Sequence, residues 1–172
     1  EANEAFRVRR AIRPGDRVLE LGSGLGVITS IIAAINGVRV WSFEADPATM
    51  RLARRVVEAN CKDNVVLANG ILAAGSPRSF TFYQRVDFWM SSTLARQGPY
   101  ERVIEIVSKD IDSFIKQHRI NALVMDIEGA ERELVQNADL PGVERVFLEL
   151  HDHLYGLSGV REISGALAMK GL

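Results

Sequence analysis

Apolar positions along this chain fall into two alternating rhythms. Short β-branched runs bounded by Gly, Pro, Asn or Asp read as strands: "RVLEL" (17–21), "RVWSFEA" (39–45), "NVVLANGI" (64–71), "ALVMDIE" (122–128) and "RVFLELH" (145–151). Between them, apolar residues recur every three or four positions and predict helices over 4–13, 26–35, 47–60, 110–119, 130–138 and 161–170. Local punctuation supports the boundaries. Pro14-Gly15 stops the first helix, Asn36-Gly37 the second, Pro47 opens the third behind Asp46, and Asp110 is placed to cap the fourth. Strands alternating with helices imply right-handed βαβ units, and near-continuous apolar strands imply a sheet covered on both faces. The predicted fold is an open, doubly wound, mostly parallel α/β sheet.

One segment breaks the rhythm. "SFTFYQRVDFWM" (79–90) has the aromatic alternation of a hairpin, and "RVIEIVS" (102–108) reads as a further edge strand. An excursion between the third and fourth strands falls on the ligand side of such a sheet. With "SSTL" (91–94), and before the Gly98-Pro99 turn, it reads either as core packing or as a wall over a pocket.

Composition narrows the class. With 172 residues, 47% hydrophobic and 25% charged, the chain reads as one globular domain. A net charge of -1 argues against an electrostatic nucleic-acid binder, and the arginine runs at 7–10 and 51–55 read as solvated helix faces. The lone Cys61 cannot form an internal disulfide, is read as structural, and fits a reducing cytoplasm. No apolar run is long enough to cross a bilayer, and no secretory leader opens the chain, which starts at Glu1 as a processed piece would. Neither nucleic acid nor a membrane is expected as a partner.

The chemistry lies at the strand ends. Glu20, Glu44, Asp126 with Glu128, and Glu149 with His151 close four strands on the side where such sheets bind ligands. Buried carboxylates cost several kcal/mol unless paired, so acids on four ends imply a ligand offering donors or positive charge. Gly22, Gly24 and Gly26 give G-x-G-x-G, whereas dinucleotide binders use G-x-G-x-x-G to cradle pyrophosphate. Glu20, two residues before the turn, would repel a phosphate and accept from an ammonium. Glu44 suits a grip on ribose hydroxyls. An ammonium, a ribose and no phosphate describe S-adenosylmethionine.

These motifs, with "SFEADP", "NVVLANGI", "SSTL" and above all "MDIEGAERELV" followed by "VFLELH", resemble the FkbM-type methyltransferases, a branch of the S-adenosylmethionine-dependent class I fold. The resemblance runs from about Asp16 to Tyr155. It implies one methyltransferase domain over 1–172, S-adenosylmethionine as cofactor, and methyl transfer to a hydroxyl of a sugar or natural product. By position, Glu20, Gly22 and Gly24 meet the methionine end of the cofactor. Glu44 holds the ribose, and Asn69 and Gly70 lie near the adenine; Ser23, Gly26 and Ala45 complete the cofactor set. The chain ends at "MKGL", where the antiparallel pair that closes the class I sheet would begin, so the reading allows a sheet without it.

A hydroxyl acceptor must lose a proton, which calls for a base. Asp126 or Glu128 is expected to orient acceptor and cofactor, and His151 to act as base. Glu131 and Glu133 favour a helix N-terminus, Glu128 alternatively caps that helix, His153 is read as loop, and His118 as a solvated helix end. A divalent metal on Asp126, Glu128, Glu149 and His151 is weighed and not adopted. Two other functions compete: a nicotinamide-dependent oxidoreductase, which the glycine spacing opposes, and a non-catalytic methyltransferase-like module.

Overall fold

A computed structural model describes residues 2–60 and 63–172, so Cys61 lies outside the described residues. The elements run α1 (Ala2–Ala11), β1 (Arg17–Leu21), α2 (Val27–Ala33), β2 (Arg39–Glu44), α3 (Pro47–Asn60) and β3 (Val65–Asn69). There follow β4 (Leu72–Ala73), β5 (Ser79–Gln84), β6 (Arg102–Val107), β7 (Lys109–Asp110) and α4 (Ile111–His118). The chain closes with β8 (Ala122–Met125), α5 (Glu131–Asn137), β9 (Arg145–Leu148) and α6 (Asp152–Met169).

Five strands form one parallel sheet in the order β3-β2-β1-β8-β9. The chain winds outward from β1 through β3, then restarts beside β1 at β8, so the order reverses between β1 and β8. That reversal opens a crevice at the carboxyl edge. Register brings the ends level: Leu21 pairs with Phe43 and Met125, Glu44 with Asn69, and Met125 with Leu148.

Period-two alternation decides which helices each strand residue meets. Val18, Val40, Ala122 and Val124 pack with Val8 of α1, Ile12 just after it, and Ile32 of α2. Leu19, Leu21, Trp41, Phe43, Leu123 and Met125 pack with Ile111 and Ile115 of α4, Leu134 and Val135 of α5, and Ile163 of α6. Glu20 therefore points to the α2 side. Asp110 caps α4 by accepting from the Ser113 amide at 3.1 Å, as its sequence position suggested. No helix among the described residues is long and apolar enough to cross a membrane.

The structure departs from the sequence reading in three places. The 79–90 segment is not a hairpin in itself, because β5 pairs with β6, in register Ser79↔Val107 to Gln84↔Arg102. No Gly or Asn follows Gln84 to support a tight turn. The chain instead runs through short 3₁₀ turns at Phe88–Met90 and Ala95–Gln97 and returns after Gly98. The last helix begins at Asp152, not 161, bent where Gly156 adopts φ 66, ψ 174, so His153 lies in a helical first turn and not in a loop. His118 is half-buried against Trp41 and Phe114, with ring centroids 5.0 and 4.3 Å away, not simply solvated.

Candidate active site

The glycine turn after β1 is built for close approach. Gly22 has φ +86, and a Cβ there would lie 1.7 Å from the Asp126 carbonyl oxygen, so only a residue without a side chain lets the ends of β1 and β8 meet. Its amide donates to the Phe43 carbonyl at 2.9 Å. Gly26 serves packing: a Cβ there would press on Ala53 and Val57 of α3. Gly24 has φ +49, and a Cβ added there would meet nothing, because it would enter the cavity.

Glu44 ties this turn to the end of β2. Its Oε2 accepts from the Gly24 amide and its Oε1 from the Asp46 amide, both at 2.9 Å. Burial pushes its carboxyl up to about 7, against the pull of those two amides. Asn69 sits behind it, donating from Nδ2 to the Glu44 and Ala45 carbonyls at 2.7 and 3.0 Å, and is not part of the cavity wall, whereas Ala45 and Gly70 are. Glu20 is 2% exposed, and its Oε2 accepts from Thr29 Oγ1 at 2.5 Å. Ser23 is buried, and its Oγ has no hydrogen-bond partner among the described residues.

These groups line a cavity of about 460 Å³ at the strand reversal. Its far end is formed by Asp126, Glu128 and Glu149. The β8–α5 loop is held by Glu131, which is 0% exposed and accepts from the Ile127 and Gly129 amides at 3.0 and 2.9 Å. Glu131 thus satisfies the loop leading into its own helix. Glu128 caps nothing: Ala130 is the N-cap of α5, and Glu128 itself is left-handed, with φ 53. A non-glycine residue in that region is strained, and such strain gathers at functional sites.

His151, 5% exposed, draws the acids together. Its Nε2 lies 3.5 Å from both Asp126 Oδ1 and Glu128 Oε2, and its Nδ1 lies 3.1 Å from Glu131 Oε1. Burial alone would lower its pKa, but the Glu128 and Glu131 carboxylates override this and push it up to about 10. At neutral pH the ring is an imidazolium, which donates and has no lone pair to accept. The folded state binds this proton more tightly than the unfolded chain, so the stabilisation is full below about pH 6.5 and is lost as pH rises toward about 10. Urea unfolding midpoints should fall between pH 7 and 10 in the native chain and change less in His151→Gln.

Donor atoms of Asp126, Glu131 and His151 all lie within 4.8 Å of one another, the spacing of a small metal site. Both Glu131 oxygens already accept from the backbone, and the ring faces the acids as their counter-charge.

The 85–98 segment closes the remaining side. Arg85, buried, donates to the carbonyls of Tyr83, Met90 and Leu94 at 3.2, 3.0 and 2.7 Å, which ties the loop to itself. Phe88 and Trp89 stack edge to face at 5.2 Å on the cavity wall, with Trp89 57% exposed. Arg78 pairs with Glu133 at the rim.

The sequence-marked residues Glu20, Gly22, Ser23, Gly24, Glu44, Ala45, Gly70, Asp126 and Glu128 thus line one cavity, and His151 stands behind its acidic end. Asn69 and Gly26 support the wall from outside. Sequence reasoning missed Thr29, Arg85 and Gln97; no spacing signal marks them, since Thr29 meets Glu20 only once α2 packs beside β1, and the other two meet their partners only after the excursion folds back.

A family model described as "Methyltransferase FkbM domain" matches residues 21–163. Among curated proteins, a ribosomal protein L11 methyltransferase from Chloroflexus aurantiacus is 31% identical over 93 residues, covering 54% of this chain and 26% of that protein. A second, from Bacillus cytotoxicus, is 30% identical over 59 residues, covering 34% of this chain and 19% of that protein. The chain thus spans about a quarter or less of the curated relatives it matches. The fold is similar to that of precorrin-6y C5,15-methyltransferase from Geobacter metallireducens (TM-score 0.58, 11% identity, 98% of this chain, 69% of that one). It is also similar to Aeropyrum pernix fibrillarin with S-adenosyl-L-methionine (TM-score 0.52, 17% identity, 99% and 65%).

Proposed function

The chain belongs to the FkbM methyltransferase family, and from that premise we propose that it transfers a methyl group from S-adenosylmethionine to a hydroxyl oxygen of a sugar or natural product. The observation that carries this reading is the charge of the cavity. Among the described residues six acids line it, Glu20, Glu44, Asp126, Glu128, Glu133 and Glu149, against one lining cation, Arg78, already paired with Glu133. Such a cavity favours a donor bearing an ammonium and a sulfonium, and disfavours a phosphate-bearing acceptor such as a nucleic acid.

The residues present fit that cofactor. Gly24 leaves the space a side chain would fill, Ser23 brings a buried hydroxyl without a partner among the described residues, and Glu20 and Glu44 supply carboxylates at the ends of β1 and β2. Glu44 would hold the ribose, and Glu20, with Ser23, the amino-acid end. The bound cofactor supplies an electrophilic methyl carbon on a positively charged sulfur. The protein's task is then alignment of the acceptor and removal of one proton. Asp126 is the group we assign to proton acceptance, in place of the histidine expected from sequence. Its carboxylate is partly open to the cavity and its amide is fixed to the Leu21 carbonyl at 2.9 Å. Glu128 orients the hydroxyl, and the His151 imidazolium holds both carboxylates in place.

The 31% match to a protein-modifying relative favours a second reading, a ribosomal-protein acceptor. One set of assays separates the readings. S-adenosylhomocysteine at 100 times its dissociation constant should stabilise the fold by ~2.7 kcal/mol, and a nicotinamide dinucleotide should not. Radiolabelled methyl transfer should then appear on hydroxyl acceptors, with ribosomal protein L11 unlabelled; the reverse pattern would replace the first reading by the second. Cofactor binding with no transfer to either would leave a binding module. With a working acceptor, Asp126→Asn should lower turnover at least ~100-fold while cofactor affinity stays nearly unchanged.

A further inference from the structure

We infer that Gln97 is a positioning residue that joins the 85–98 wall of the cavity to the Glu128 carboxylate, so that loop and acid act as one unit. The inference rests on the place given above to Glu128 at the transfer end, and it adds a residue that no motif marks.

Gln97 Nε2 donates to Glu128 Oε2 at 2.9 Å, the same oxygen that faces His151 Nε2. Its own amide is oriented from the other side: Ser92 Oγ donates to Gln97 Oε1, which leaves the NH₂ group pointing at the carboxylate. Ser92 is buried and belongs to the sheet-like frame of the excursion, exchanging backbone hydrogen bonds with Tyr83 at 2.8 and 3.2 Å. A Ser92–Gln97–Glu128–His151 chain thus runs from the β5 frame to the α6 N-terminus. A second contact keeps the register: Leu94 packs over Gly129, where an added Cβ would meet its Cδ1 at 2.7 Å.

Glu128 sits on a strained backbone, so a guide on its side chain adds to the hold that His151 has on it. An amide donor on one oxygen fixes its rotamer without adding a charge that would compete for His151. Asp126, Glu131, His153 and Tyr155 also stand beside His151, with Glu149 and Asp152 acting on Tyr155, and Gln97 reaches the ring through Glu128.

The test needs no acceptor. Imidazole NMR of the whole chain follows the His151 titration in the native protein, Gln97→Met, Gln97→Glu and Glu128→Gln, with melting temperature and S-adenosylhomocysteine affinity measured alongside. Gln97→Met keeps the volume and removes the donor. It should lower the His151 midpoint by about 1, toward the Glu128→Gln value, while melting and affinity stay native. Gln97→Glu should raise the midpoint by adding a carboxylate. A His151 titration unaltered by Gln97→Met, in a chain where Glu128→Gln does alter it, would overturn the positioning role and leave the proposed function standing. An unaltered titration in Glu128→Gln would overturn both the coupling and the placement of Glu128.

Discussion

Gly22→Ala should leave a protein that no longer binds S-adenosylhomocysteine and melts well below the native chain. The cost has two parts. A left-handed φ of +86 disfavours any L side chain by about 1–2 kcal/mol. The new methyl would also lie 1.7 Å from the Asp126 carbonyl oxygen, which is backbone and cannot rotate away. Relief requires separating β1 from β8 at the point where the crevice opens, and that moves Asp126 and the glycine turn together. We expect a total loss of roughly 3 kcal/mol or more, the scale of a severe packing defect. Differential scanning calorimetry and titration calorimetry read the two effects. The contrast is Gly24→Ala, where nothing lies in the way of a Cβ: it should cost less stability and act on ligand affinity. Equal melting of Gly22→Ala and the native chain would mean that the two strand ends do not meet as described.

Glu44→Ala is the second large effect, expected on binding more than on folding. Its carboxylate accepts from the Gly24 and Asp46 amides, and its loss leaves those donors unpaired as well as removing the group assigned to the ribose. Hydrogen bonds to a charged group contribute about 1.5–3 kcal/mol each, so cofactor affinity should fall at least ~100-fold. Acidity supplies an independent check. Because burial raises the folded carboxyl to about 7 from an ordinary 4.5, the folded state binds the proton more tightly than the unfolded chain. Its contribution to stability therefore declines as pH rises from about 4.5 to 7. Ligand binding runs the other way. Ribose hydroxyls donate best to the ionised form, so affinity should weaken by up to about tenfold for each pH step of one below 7. Glu44→Gln should be weak and indifferent to pH. A native affinity flat from pH 5 to 8 would remove Glu44 from the ribose contact.

The strands and the acids at their ends were legible in the sequence for a common reason. Charged residues closing apolar runs are expensive to bury, so Glu20, Glu44 and Asp126 announced a crevice before any coordinates. The glycine turn was legible because only glycine meets its geometry. The protonation of His151 was not, because it depends on the Glu128 and Glu131 carboxylates, and Glu131 in particular had an adequate local explanation as a helix-end acid. The partner of β5 was also hidden. Alternation reveals that a strand exists, but it does not say whether the opposing strand begins two residues later or, as here, 18 residues after Gln84 at Arg102. Arg85 and Gln97 lay inside that gap and shared its obscurity.

A guanidinium satisfied by its own loop's carbonyls has an evolutionary consequence. Arg85 fastens residues 83–94 to one another without drawing on the five-stranded sheet, so the aromatic tip at Phe88 and Trp89 is held by its own loop's carbonyls. Mutations at that tip can be sampled cheaply, and new acceptors acquired, while the donor half of the pocket is inherited unchanged. Diversity among descendants of this scaffold should therefore concentrate in a handful of residues at the end of a tether.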